Sequence, residues 1–157
     1  MQSKSALISG LSEHYKAKNP AAITFVFNND YYSLNQAKEK LKKFHRIADE
    51  RRLGQYFYKK KPIQRLDFLV SPEKFDCGHP HYHGIIAIPE RELLDRQLHQ
   101  VAELYQQTWQ EVAPAGSLVL RPLFDVRGWL EYSSKENCIS TSDRTIWSIS
   151  DFVSTRA

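Results

Sequence analysis

The chain has 157 residues, of which 41% are apolar and 25% charged, a mixture that supports a packed core and excludes wholesale disorder. Lys and Arg outnumber Asp and Glu by 22 to 18, a net charge of +4, which permits a nucleic-acid partner without demanding one. The two cysteines, Cys77 and Cys138, exclude a disulfide framework and point to a reducing compartment. No apolar run approaches the roughly 20 residues that span a bilayer, and residues 1–20 lack the apolar centre of a signal peptide. The expectation is one soluble, cytoplasmic domain with no membrane partner.

Residues 1–20 are polar and end at Asn19-Pro20, which reads as a lead-in. Residues 22–27 (AITFVF) are β-branched and aromatic and stop at turn residues Asn28 and Asn29, predicting a strand. Ser33 and Gln36 form a capping-box pattern, Gly54 stands where a helix would end, and Leu34, Ala37, Leu41, Phe44 and Ala48 recur at helical steps. The opposite face of that helix is rich in lysine and arginine. Residues 55–59 are expected to form a strand that runs into the turn at Lys59, Lys60, Lys61 and Pro62.

Residues 65–71 (RLDFLVS) alternate as a strand, residues 72–80 read as a loop, and residues 81–88 (HYHGIIAI) form a further strand. A long helix is predicted from about Pro89 to Val112, with Leu94, Leu98, Val101, Tyr105, Trp109 and Val112 as its buried stripe. Residues 118–120 read as an edge strand, Asp125 as the cap of a short helix running to Lys135, and residues 137–157 as loop or tail. The order β-α-β-β-β-α-β-α predicts an α+β fold. A central antiparallel sheet of about five strands packs against two main helices, with a short C-terminal helix carrying a tyrosine. Its second face is partly open, and a site belongs there.

The chemistry concentrates on the strand at residues 81–88. His81 and His83 project from the same side of a strand by its period of two and can bind one ion. A third ligand is sought among Glu73, Asp67, Asp76 and His79, with Glu73 preferred because it lies just past the end of the preceding strand. Two histidines and a carboxylate leave coordination positions open for a substrate. A bare polar strand face is the plainer alternative. A structural zinc site using Cys77 lacks the second ligand pair such modules carry.

An ion with open positions can polarise a phosphodiester, and a tyrosine can attack it once positive charge favours the phenolate. In GWLEYSSKE (residues 128–136) Tyr132 and Lys135 lie one helical turn apart. The Y-x-x-K spacing alone carries nothing, since it recurs at Tyr15, Tyr56 and Tyr58; position after the histidine strand singles out Tyr132.

Together, ITFVFNN (residues 23–29), HPHYHGIIAIP (residues 79–89) and GWLEYSSKE, in that order, resemble the HUH endonuclease superfamily, specifically its single-tyrosine replication initiators. The resemblance covers residues 22–136 of a single nuclease domain, with residues 137–157 as a C-terminal extension. It implies that a divalent ion, Mg²⁺ or Mn²⁺, is held by His81, His83 and Glu73, and that Tyr132, assisted by Lys135, nicks and rejoins single-stranded or hairpin origin DNA through a 5′-phosphotyrosyl link. The implied role is to start rolling-circle replication of a plasmid or virus, so a viral protein would work in the host nucleoid or nucleus. Single-strand transposases share the motif order; a relaxase would need its tyrosine ahead of the histidines, where Tyr15 stands. A non-catalytic α+β nucleic-acid-binding module is the alternative from another class.

The sequence contains no G-x-x-x-x-G-K-[ST]. The resemblance therefore implies either reliance on a host helicase and polymerase or a nuclease domain of a longer chain. The candidate DNA surface comprises Lys59, Lys60, Lys61 and Arg65, with Arg121, Arg127 and Trp129 near the tyrosine.

Overall fold

A computed structural model describes residues 3–28, 32–73, 75, 80–133 and 144–153. The elements run α1 (Lys4–Lys16), β1 (Pro20–Val26), α2 (Leu34–Leu53), two 3₁₀ turns (Phe57–Lys59 and Pro62–Gln64), β2 (Asp67–Glu73), β3 (His81–Ala87), α3 (Glu90–Leu93), α4 (Leu98–Val112), β4 (Ser117–Pro122), α5 (Val126–Ser133), β5 (Ile146–Trp147) and α6 (Ser148–Asp151). The fold is α+β. Among the described residues the strands form one five-stranded antiparallel sheet in the order β4-β1-β3-β2-β5.

Strand alternation splits the sheet into two different faces. Ile23 and Phe25 of β1, Phe68 and Val70 of β2, and Tyr82 and Ile86 of β3 turn toward α2 and α4 and make the larger core with Leu41, Phe44 and Trp109. The α2 helix forms as its sequence predicts: Ser33 Oγ accepts from the Gln36 amide at 3.1 Å, the Gln36 side chain accepts from the Ser33 amide at 2.9 Å, and Gly54 ends the helix at φ 89°. Its C-terminal half is tied down by buried Asp49, which accepts from the Leu66 amide at 2.9 Å, from Arg52 at 2.8 Å, and from Arg65.

On the other face, Leu69 and Ile85 meet α1 and α5 through Ile8, Leu11, Tyr15, Val126 and Leu130. Residues 1–20 are thus more than a lead-in. Ser3 caps α1 by accepting from the Ala6 amide at 3.1 Å, and Ile8, Leu11 and Tyr15 bury one face of that helix. The buried anchor is Asp67. Its carboxylate accepts from the Tyr15 phenol at 2.7 Å and the Trp147 indole at 3.0 Å, and its second oxygen lies 2.7 Å from His14 Nε2.

Three further expectations give way. Residues 55–59 form no strand: the segment turns into the 3₁₀ helix Phe57–Lys59, where Phe57 packs over the Arg65 guanidinium with 5.2 Å from Cζ to the ring centroid. The long helix is broken after Leu93, because the Gln100 side chain accepts from the Gln97 amide at 2.8 Å and starts α4 afresh. The stretch read as tail contains β5 and α6, and Ser148 Oγ both accepts from the Phe68 amide and donates to the Leu66 carbonyl at 2.8 Å.

Candidate metal and tyrosine site

Glu73, His81 and His83 keep partial exposure on the second sheet face, at the end where β2 finishes and β3 begins. The antiparallel register sets Glu73 opposite His81 and Ser71 opposite His83, with Thr24 of β1 on the other side of His83. All of these side chains share one face. His81 Nε2 lies 2.7 Å from Glu73 Oε2, and His83 Nε2 lies 3.4 Å from the same oxygen. One ligand atom from each of the three residues falls within 4.8 Å of the others. This donor set, two imidazoles and one carboxylate on rigid strands, fits a divalent cation with open coordination positions. A cation there would replace the direct contact between His81 Nε2 and Glu73 Oε2.

Burial holds the His83 imidazole below its ordinary range; the Glu73 carboxylate pulls it back up, and His81 pushes it down again. A neutral imidazole offers the lone pair a metal needs. Of the other ligand candidates, Asp67 lies six residues back along β2, opposite Ala87, and is engaged by His14, Tyr15 and Trp147. The correction is one of distance along the strand: the alternation puts Asp67 on the right face but at the wrong end. Asp76 and His79 lie outside the described residues, as does Lys135.

Tyr132 arrives from α5. Asp125 Oδ1 accepts from the Gly128 amide at 3.0 Å, the capping role its position predicts, while Val126 and Leu130 bury the inner side of the helix. Trp129 donates its indole N–H to the Gly84 carbonyl at 2.6 Å, which fastens α5 to β3 beside the histidines. Three residues on, the Tyr132 ring stacks on Trp129 with centroids 5.6 Å apart and planes 26° apart. It stands edge-on to His83 at 6.4 Å. The tyrosine remains 55% exposed, while the His81 and His83 side chains keep 20% and 14% of their surface open. Tyr15, the residue a relaxase-like order would require, has no exposed surface and donates its phenol to Asp67.

The candidate DNA contacts do not all gather here. Arg121 lies on β4 opposite Ala22, on the site face, and is exposed. Arg127 is on α5, with its guanidinium on Glu131 at 3.1 Å and Ser9 at 2.7 Å. Trp129 is spent on Gly84 and Tyr132 rather than standing open. Lys59, Lys60 and Lys61 are exposed but precede the opposite end of β2, a strand length of about 20 Å from Glu73. Arg65 is buried and paired with Asp49, a strut rather than a surface cation.

Sequence reasoning missed Gly84. A Cβ there would lie 1.9 Å from the Leu69 carbonyl oxygen, so only glycine lets β2 and β3 close beside the histidines. A glycine inside a predicted strand is the signal that marks such an approach. Comparison with protein-family models, curated proteins and solved structures gives no match to this chain. Among the described residues no helix is long and apolar enough to cross a membrane.

Proposed function

We propose that this protein is a metal-dependent nuclease that cuts and rejoins single-stranded DNA through Tyr132, as the resemblance to single-tyrosine HUH replication initiators implies. The observation that supports this reading is the placement of an exposed tyrosine ring edge-on to His83 of a Glu73, His81 and His83 cluster. Glu73, His81 and His83 would hold the ion, Mn²⁺ or Mg²⁺. When bound, the ion would draw a scissile phosphate into the site and offset the charge that develops on it.

The chain's own residues then account for the remaining steps. Trp129 holds the Tyr132 ring in one orientation, so that little motion separates the phenol from an in-line approach. The Tyr132 oxygen bonds to phosphorus, the phosphorus–O3′ bond breaks, the phenolic proton leaves to solvent, and solvent returns a proton to the departing O3′. The products are a 5′-phosphotyrosyl link and a free 3′-hydroxyl that can prime synthesis. Attack by a 3′-hydroxyl on the same link reverses the step without an external energy source. Lys135 is the proposed phenolate or phosphate partner. Origin recognition, and any host helicase or polymerase acting with the protein, belong to the same proposal.

The test is a denaturing gel of protein mixed with 5′- and 3′-labelled single-stranded oligonucleotides, with Mn²⁺ or with chelator. The expected result is a metal-dependent covalent adduct that retains the 3′-labelled fragment and is absent in Tyr132→Phe. An adduct that persists in Tyr132→Phe would remove Tyr132 as nucleophile.

A further inference from the structure

We propose that the groove between α2 and the 3₁₀ turn at Phe57–Lys59 binds single-stranded nucleic acid, on the side of the sheet away from the metal cluster. The groove encloses about 890 Å³, and Tyr32, Phe57, Tyr58 and Phe152 contribute aromatic rings to its lining. Its rim on α2 carries Lys40, Lys42, Lys43 and Arg46, against the single acid Glu39 within the lining. Lys42 and Lys43 are exposed and have no carboxylate within 4.0 Å among the described residues, while Arg46 touches Glu50 only at 3.7 Å across the surface. The patch is therefore cationic and complementary to a polyanion.

The rings distinguish this surface from a solvated lysine face. Tyr56 and Tyr58 are 55% and 59% exposed, and the Lys59 ammonium stands 5.1 Å and 6.0 Å from their ring centroids. Phe57 is held against the Arg65 guanidinium, which is itself anchored on buried Asp49. The aromatic segment is thus presented on a fixed support, with little conformational freedom left to lose on binding.

Lys42 and Arg46 lie one helical turn apart, a rise of about 6 Å, so successive backbone phosphates can meet successive cations while bases stack on the tyrosines. An acidic amphipathic helix would match the cations and could pack its apolar face on the rings, but cations beside ring faces along the whole groove suit better a strand in which every unit carries one phosphate and one base. A lipid surface is flat where this groove is concave. The groove and the metal cluster lie on opposite faces because α2 packs on the Phe25 and Phe68 side, while His81 and His83 point to the other. A strand held in the groove is consequently separate from the nucleotides at Tyr132, and binding here needs no metal.

The test is fluorescence anisotropy of labelled oligo(dT) with the full chain in chelator, in a Tyr132→Phe background that leaves no cleavage to confuse the reading. The covalent-adduct gel decides the nuclease reading separately, so either can fail alone. Replacing Lys42, Lys43 and Arg46 together with Ala should weaken binding about tenfold or more and lower the log–log salt slope by about 2, from three phosphate contacts at about 0.7 each. Tyr58→Ala should weaken binding about fivefold or more and leave the slope unchanged. A photoreactive thymidine in the strand should cross-link to the peptide containing Tyr58. All the replaced side chains are exposed, and near-ultraviolet circular dichroism checks that the fold persists. Wild-type affinity and slope in both variants, or no binding of oligo(dT) by the wild type, would overturn the proposal. Tighter binding of a poly-glutamate peptide than of oligo(dT) at the same salt would assign the groove to an acidic protein segment instead.

Discussion

Trp129 of α5 donates its indole N–H to the carbonyl of Gly84, the residue that follows His83 on β3. One bond of 2.6 Å therefore couples the helix that carries Tyr132 to the strand that carries the histidines. Trp129→Phe keeps a ring for Tyr132 to stack on but removes the bond. The expected outcome is unchanged Mn²⁺ binding with adduct formation slowed roughly 10- to 100-fold, because small misplacement of a reacting group is costly. Single-turnover rates beside calorimetric Mn²⁺ titration check it; an equal loss in both would mean that Trp129 supports the whole site.

Gly84→Ala makes the opposite kind of disturbance. The new methyl would sit 1.9 Å from the Leu69 carbonyl oxygen and 2.9 Å from the Val70 Cα, backbone that cannot swing aside as a side chain would. Separating β2 from β3 should cost at least about 1–3 kcal/mol, the usual range for overpacking, and should also spread Glu73 from His81. Urea unfolding and Mn²⁺ titration of the same sample should report both losses together.

Glu73→Ala removes the carboxylate shared by both imidazoles. Losing an outer-shell partner already weakens metal sites 10- to 100-fold, so loss of a direct ligand should weaken Mn²⁺ binding by more than roughly 100-fold. Because imidazole ligands favour softer ions, cleavage by the wild type should be stronger in Mn²⁺ than in Mg²⁺ at matched concentration. Equal or better cleavage in Mg²⁺ would count against this ligand set.

The His45 ring lies in the core, where its Nε2–H donates to the Leu66 carbonyl at 2.7 Å. Burial lowers its pKa from the ordinary 6.5; Asp49 and the Leu66 bond oppose that shift, and Arg65 and Arg52 add to it. The folded state thus binds fewer protons than the unfolded chain. The associated stability is fully present above a pH of about 6.5 and is lost as the pH falls from there toward the folded pKa. The slope is at most about 1.4 kcal/mol per pH unit. His45→Gln keeps a donor for Leu66 and does not titrate, so urea midpoints taken across this window should fall less steeply than in the wild type.

Asp67→Ala tests the docking of α1. The carboxylate takes the Tyr15 phenol and the Trp147 indole on one oxygen and meets His14 on the other. Alanine removes the acceptor and leaves the buried Tyr15 phenol without its partner, at a cost of about 1–3 kcal/mol. Amide exchange should quicken along Lys4–Lys16 before it does along α2, in a comparison by mass spectrometry.

The histidine strand is legible because alternation alone decides which of its side chains share a face, and Glu73 because it stands just past the end of the adjoining strand. Asp67 enters the same set of candidates because period two reports the face and not the distance along it. The aromatic run around Phe57 has the composition of a strand, and only a tertiary partner, the Arg65 guanidinium, turns it into a 3₁₀ helix. The α1 helix carried its signal openly in the steps from Ile8 to Leu11 to Tyr15, behind a Ser3 cap, but a polar surround obscured it. The Ile146–Trp147 strand, two residues long, has no periodicity to read.

Glu73, His81 and His83 lie within a dozen positions of one another in the chain, on two strands that are consecutive in sequence and adjacent at the middle of the sheet. Tyr132 comes from far downstream and is held by a short helix at the sheet surface. The proposed ion-binding half therefore rests on one pairing between consecutive strands, whereas the proposed nucleophile depends on a separate helix docked on the sheet surface. Under rising urea the two halves should part company in order, with the fluorine NMR signal of fluorotryptophan at Trp129, resolved from those of Trp109 and Trp147, reporting the release of α5 while β2 and β3 still retain Mn²⁺. On the proposed function, cutting would then be lost at a lower urea concentration than metal binding.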